Sequence, residues 1–310
     1  MSSPDIDTKV RLRAFAFLEK KCRLHPLGIL SRSLLEAGFE FEGRRVPLVG
    51  PQGIFKPAIL PEIPLSITTA PVVEGRPRPY DDHLDQEGLI RYRYRGRDPD
   101  HHENVGLRKA MLQRKPLIYF YGVVTGRYLA AWPAYIVHDD PRSLSVDVEI
   151  GRLTAEGAAA GIFPGEDESA PERRYITVAV QQRLHQQGFR YRVLQAYREC
   201  CSVCRLRHLE LLDAAHILPD VHPRGEPSVS NGLALCKLHH AAFDANILGV
   251  RPDLVVEIRK DILEESDGPL LIHGLKECHN RRLAEVPFSP RLRPRREYLE
   301  ERYALFRKAS

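Results

Sequence analysis

Two short pairs constrain this chain more than anything else in it: Cys201-x-x-Cys204 and, further along, Cys236-x-x-His239. A Cys-x-x-Cys turn places two thiolates on one tight bend, and a second pair about 30 residues later completes a tetrahedral site for zinc. A closed site of this kind is structural. It clamps a strand–strand–helix unit too small to hold its own core. The six cysteines are Cys22, Cys200, Cys201, Cys204, Cys236 and Cys278. Their clustering fits a reduced, metal-binding use better than a disulfide framework. Cys200 cannot shift the frame, because Val203 stands where its partner would be. Cys22 and Cys278 are expected to be ordinary thiols.

At 310 residues the chain suits two domains. Its net charge of +5 permits nucleic-acid binding without showing it. No apolar run reaches the roughly 18 residues of a membrane span, and Met1-Ser-Ser-Pro-Asp lacks a secretory pattern, so a cytoplasmic protein is expected. The fold class read from the sequence is α+β. A mixed α/β domain covers 1–160, a linker 161–174, and a zinc-containing domain with flanking helices 175–310. Helices are expected from Ile6 to Lys21, Glu103 to Leu112, Tyr175 to Gln187 and Gly188 to Arg198. A hairpin turns at Gly43, strands run from Leu89 to Arg95, Leu117 to Val124 and Tyr128 to Val137, and 51–77 is irregular.

Between and beside the zinc pairs stand His216, in Ala-Ala-His-Ile, Asn231, in Asn-Gly-Leu, and His240, next to ligand His239. Zinc binding needs none of the three. Phosphodiester hydrolysis needs a base for the attacking water and a divalent cation for the charge on phosphorus and leaving oxygen. A histidine neutral near pH 7 suits the first task. Residues 201–244 resemble the HNH, or ββα-metal, endonucleases, in the branch written Ala-Ala-His-Ile … Asn-Gly-Leu … His-His-x-x-Phe-Asp. The resemblance implies His216 as general base, Asn231 as the residue holding the loop and assisting the site, and His240 with Asp244 as ligands of a catalytic Mg²⁺ or Mn²⁺. Many members carry an acidic ligand just before the first histidine, where this chain has Ala215. Asp213 or Asp244 then compensates, or fewer protein groups hold the cation.

In the N-terminal half, Arg91-Tyr-Arg-Tyr-Arg95 alternates, so arginines and tyrosines take opposite faces of a strand. Arg93 and its neighbours either contact phosphates or form a solvated edge. His101 and His102 precede a helix carrying Arg108 and Lys109, a setting that favours anions. Trp132-Pro133 is either an exposed apolar surface or part of the core. Together with Tyr80-Asp-Asp-His, this pattern resembles the sulfur-binding domain of phosphorothioate-dependent type IV restriction enzymes, which join such a domain to an HNH nuclease. That resemblance implies a DNA surface of Tyr80, Arg93, His101, His102, Arg108, Lys109, Trp132 and Pro133, with Trp132 and Pro133 walling the sulfur pocket.

The expectation is a modification-dependent restriction endonuclease that acts on phosphorothioate-modified double-stranded DNA as a homodimer, since one HNH site cuts one strand. Two alternatives stay open: an HNH enzyme reading a methylated base or an unmodified sequence, and a non-catalytic zinc module that binds DNA.

Overall fold

The computed structural model describes residues 5–71, 73, 88–151, 170–266 and 268–309, and the chain forms two compact units, Met1–Leu184 and His185–Ser310. Unit 1 opens with α1 (Ile6–Leu24). Asp5 caps it by accepting the Thr8 N–H at 2.7 Å. Val10, Ala14, Phe15 and Leu18 recur at helical spacing and are buried against Leu30, Leu35, Ile118 and Phe120. Next come β1 (Leu30–Ser31), α2 (Arg32–Ala37) and the hairpin β2 (Phe39–Phe41) and β3 (Arg44–Val46), whose turn uses Gly43 at φ 72°.

The main sheet is built from β4 (Ile54–Phe55), β5 (Ser66–Thr68), β6 (Ile90–Arg93), β7 (Leu117–Val124), β8 (Arg127–Asp140) and β9 (Ser145–Ile150), with α3 (His102–Leu112) packed on β8. The strand order is β4-β5-β7-β8-β9-β6, and β1 also pairs with β8. Among the described residues, only β5 and β7 run parallel. The stretch 51–77, expected to be irregular, thus supplies β4 and β5, both too short for alternation to reveal them. Strand β9 was hidden for a different reason. Asp147 and Glu149 look like a solvent face but are buried, with Asp147 paired to Arg91 and His138 and Glu149 paired to Arg173.

One long helix, α4 (Ala170–Ala196), replaces the two expected on either side of Gly188, and its first turn takes up residues 170–174 of the expected linker. Thr177, Gln181, Leu184, Gly188 and Arg192 are all buried, so the buried stripe continues straight through the glycine. Unit 2 then forms β10 (Leu212–His216), β11 (Gly232–Cys236) and α5 (Lys237–Asp244), followed by β12 (Leu248–Val250) and β13 (Val256–Ile258). Three helices close it: α6 (Lys260–Glu264), α7 (Pro269–Gly274) and α8 (Arg296–Ala309). Arg302 of α8 donates to the Phe243 carbonyl and the Asn246 side chain, with its guanidinium 4.5 Å from the Phe243 ring centroid. A cation therefore sits on the last carbonyls of α5, where the helix dipole favours it. Among the described residues, no helix is long and apolar enough to cross a membrane.

The least replaceable polar group of unit 1 is Arg11, which is fully buried in α1. Its guanidinium binds Asp7 twice, at 2.8 and 3.0 Å, and donates to the carbonyls of Pro64 and Pro116 at 3.0 and 2.7 Å. It ties α1 to the chain entering β5 and β7. Arg11→Ala leaves Asp7 with Lys115 alone and strands two carbonyls, so denaturant unfolding is expected to show a loss of about 3 kcal/mol.

Candidate active site and metal centre

Cys201 and Cys204 lie on the turn after α4, Cys236 ends β11, and His239 sits in the first turn of α5. Their ligand atoms all lie within 4.8 Å of one another. His239 Nδ1 is 3.1 Å from Cys236 Sγ and 3.5 Å from Cys201 Sγ, and the sulfurs of Cys204 and Cys236 are 3.9 Å apart. A zinc tetrahedron with Zn–S near 2.3 Å and Zn–N near 2.0–2.1 Å has edges of about 3.5–3.8 Å, so the four residues fit the ion. The chemistry of the donor set agrees. With protons alone, hydrogen bonding to Cys201 pushes the Cys204 thiol up and holds Cys236 down. A divalent cation lets all the thiols ionise together. On the far side of the ring, His239 Nε2 donates to the Gly274 carbonyl at 2.8 Å, which leaves Nδ1 as the ligand atom. Cys278, expected to be an ordinary thiol, lies against this outer shell, 3.9 Å from His239 Nε2.

His216 ends β10 opposite Gly232. A Cβ on that glycine would meet Val193 Cγ2 at 2.5 Å and Phe189 Cζ at 3.0 Å, so only glycine lets α4 come this close. The close approach brings the Phe189 ring flat against the His216 imidazole, with centroids 4.0 Å apart and planes 13° apart. His216 Nε2 lies 2.9 Å from Asp220 Oδ1, off the line of a hydrogen bond, and is buried. Burial holds the imidazole pKa below its ordinary 6.5, and the Asp220 charge opposes that shift. The histidine is thus kept neutral at pH 7.

Asn231 is fully buried and commits its amide to the loop. Its Oδ1 accepts from the Leu218 N–H at 2.9 Å, and its Nδ2 donates to the carbonyls of Leu218 and Glu226 at 2.9 and 3.0 Å. Both amide protons are used, so Asn231 fixes the turn that carries His216 and Asp220.

His240 faces the same cluster. Its Nδ1 is 3.4 Å from Asp213 Oδ2, a carboxylate also held by Lys237 at 2.5 Å, and its Nε2 is 3.4 Å from Asp244 Oδ2. A carboxylate on one ring nitrogen sets the tautomer and leaves the other free for a metal. Ala215 is fully buried, so the place of the usual acidic ligand points into the core. Among the described residues, no second group of three metal-binding side chains converges as the zinc quartet does.

Comparison with known families settles what this arrangement belongs to. Residues 201–251 match the HNH endonuclease family model. The protein carries an HNH endonuclease domain. With it comes the activity class of a metal-dependent DNA endonuclease. No curated protein matches the chain. Among solved structures, the chain is similar to one described as a modification-dependent TagI restriction endonuclease. The identity is 16% over 79% of this chain and 82% of that one, with a TM-score of 0.28, too slight to carry an argument.

His216, Asn231 and His240 all lie within the matched segment. Two of its supports, Asp220 and Phe189, escaped sequence reading. Asp220 stands beyond Pro219 with no spacing rule to mark it, and Phe189 reaches the site from α4.

The N-terminal candidates do not converge on one spot. In β6, Tyr92 points inward and Arg91 and Arg93 outward, as the alternation requires; Tyr94, just beyond the strand, is also buried. His101 caps α3 by accepting the Glu103 N–H, and its ring is 4.4 Å from that of His102. Arg108 is engaged by Asp139 at 2.9 Å, and Lys109 by Glu62 at 2.9 Å. Trp132 and Pro133 occupy a register shift in β8, where Pro133 is buried. Trp132 lines a depression with Ile150, Tyr175 and Arg183, while His102 lines another with Phe55 and Glu62. Tyr80 lies outside the described residues.

Metal analysis is expected to return one zinc per chain from the quartet, and Cys236→Ser should bind none. Structural zinc supplies on the order of 10 kcal/mol of folding energy. The variant should therefore show loss of tertiary structure around the HNH domain by near-ultraviolet dichroism and rapid proteolysis after α4.

Proposed function

We propose that this protein is a modification-dependent restriction endonuclease, with unit 1 selecting the DNA and the HNH domain cutting it. The observation that carries the hydrolytic half is the neutral, half-buried His216 held beside the His240–Asp244 pair on one zinc-clamped frame. His216 accepts a proton from water as the water oxygen bonds to phosphorus and the P–O3′ bond breaks, leaving a 5′-phosphate and a 3′-hydroxyl that takes its proton from solvent. His240 Nε2 and Asp244 would hold a Mg²⁺ or Mn²⁺ ion, which would supply positive charge against the phosphate and the departing oxygen. Asn231 holds the loop. One site cuts one strand, so a homodimer makes the double-strand break.

Resemblance of the N-terminal half implies phosphorothioate as the mark, and the outward arginines of β6 and the His101–His102 pair at α3 support a surface for the DNA backbone. A specific observation favours a second reading, a modified base. Unit 1 contains a cavity of about 340 Å³ walled by Tyr92, Tyr94 and Tyr128, with Arg32, Arg93 and Arg95 around it. Aromatic walls of that kind suit a planar ring turned out of the duplex. Pro133, which a sulfur pocket would present, is buried instead.

Three duplexes of one sequence decide between these readings: unmodified, with a single Rp phosphorothioate, and with 5-methylcytosine. With Mn²⁺, the wild type is expected to cut only one modified duplex, and His216→Ala none. Equal cutting of all three would remove modification dependence. The pH profile tests His216 separately. The neutral form reacts and its pKa lies below 6.5, so cleavage is full at pH 7 and falls only as pH drops through that lowered value. Asp220→Ala removes a charge that raises the pKa and should move the acid limb to lower pH.

A further inference from the structure

Beyond the matched HNH segment, the chain from Val286 to Arg296 reads Val-Pro-Phe-Ser-Pro-Arg-Leu-Arg-Pro-Arg-Arg, with four arginines and no acid. Along it Arg291, Arg293 and Arg295 are exposed, while Leu292 and Pro294 between them are half-buried. The alternation turns three guanidinium groups outward from one short stretch. Phe288, flanking them, is 91% exposed. A large aromatic left in water beside arginines has no role in packing the unit.

This segment is fixed to the active-site frame. The Ala284 N–H donates to the Ser202 carbonyl in the zinc turn at 2.7 Å, and the Arg295 N–H to the Ser230 carbonyl at 3.0 Å. Ser230 adjoins Asn231, whose carbonyl accepts from the Ile217 N–H beside His216 at 2.9 Å. The guanidinium groups are also partly aimed. Arg293 Nε donates to the Pro287 carbonyl at 3.1 Å. Arg295 lies 5.2 Å from the Tyr298 ring centroid and donates to its hydroxyl at 2.8 Å. Each uses one of its five N–H donors this way and keeps the others.

We propose that residues 286–296 form a DNA-binding strap that grips the duplex beside the HNH site. Arg291, Arg293 and Arg295 contact backbone phosphates, and Phe288 packs on sugar or an unstacked base. The inference rests on the endonuclease reading of the same unit. Charge selects the partner: fixed guanidinium groups without intervening acids match a polyanion, and bidentate phosphate contacts are what arginine makes best. The aromatic adds a contact that does not depend on sequence. The strap thus supplies affinity at the cleavage site, independent of the mark read by unit 1.

The test uses the full chain in a His216→Ala background, binding an unmodified duplex by fluorescence anisotropy over a range of salt. Arg291→Ala with Arg293→Ala is expected to weaken binding about tenfold near 0.15 M salt and to lower the salt slope by about two, one per lost phosphate contact. Phe288→Ala should weaken binding with the slope unchanged. Arg291→Lys with Arg293→Lys should keep the parent slope, which a merely structural role would not predict. Parent binding that the alanine variants leave unchanged in affinity and slope would overturn the strap alone. Failure of the parent to bind any duplex would overturn the DNA-endonuclease reading and the strap with it.

Discussion

Cys201, Cys204, Cys236 and His239 come from a turn, a strand end and a helix start, and little else in unit 2 joins those three pieces at one point. The β10–β11 pair is five residues long on each side, and α5 has eight residues. Elements this short bury too little apolar surface to fix one another's orientation. An ion bound by all four side chains removes that freedom, and His240 inherits its position because it follows ligand His239 in α5. Arg302 secures the other end of the same helix through the Phe243 carbonyl.

The setting of His216 depends on a different constraint, the missing side chain of Gly232. It allows Phe189 to lie on the His216 ring, and that contact, with the Asn231 clamp on the following turn, removes water from one face of the imidazole. Desolvation then favours the neutral ring. One glycine therefore influences geometry and proton affinity together. The Asn-Gly sequence at 231–232 places the loop clamp and the close-approach position side by side.

What the sequence disclosed follows from the kind of signal each part carries. Ligand spacing exposed the zinc quartet, because the metal demands particular residue types at particular separations. Alternation in Arg91-Tyr-Arg-Tyr predicted which side chains of β6 face inward, because a strand edge with one buried face must alternate. Strand β9 broke the same rule, since its acidic residues are buried in ion pairs that only the assembled sheet supplies. Gly188 misled in the opposite direction: a local helix-breaking signal lost to a buried stripe that runs through it. Asp220 and Phe189 meet His216 only through tertiary structure, and no spacing could have named them.

Ala215 looks like a defect when compared with relatives that carry an acid there, yet the fold gives it a reason. That position faces the core with no exposure, so a carboxylate there would be desolvated. Asp213, two residues earlier on the same strand, reaches His240 Nδ1 and shares its charge with Lys237 and Arg190. Two cations already compete for that carboxylate, which makes it a better anchor for the imidazole than a ligand for an ion. On the proposed function, the negative charge that a bound cation needs would fall to Asp244, which is exposed beside His240, where a carboxylate costs little to keep ionised. On that same proposal, α5 alone would hold the cation, through side chains one turn apart, and β10 would contribute the base rather than a ligand.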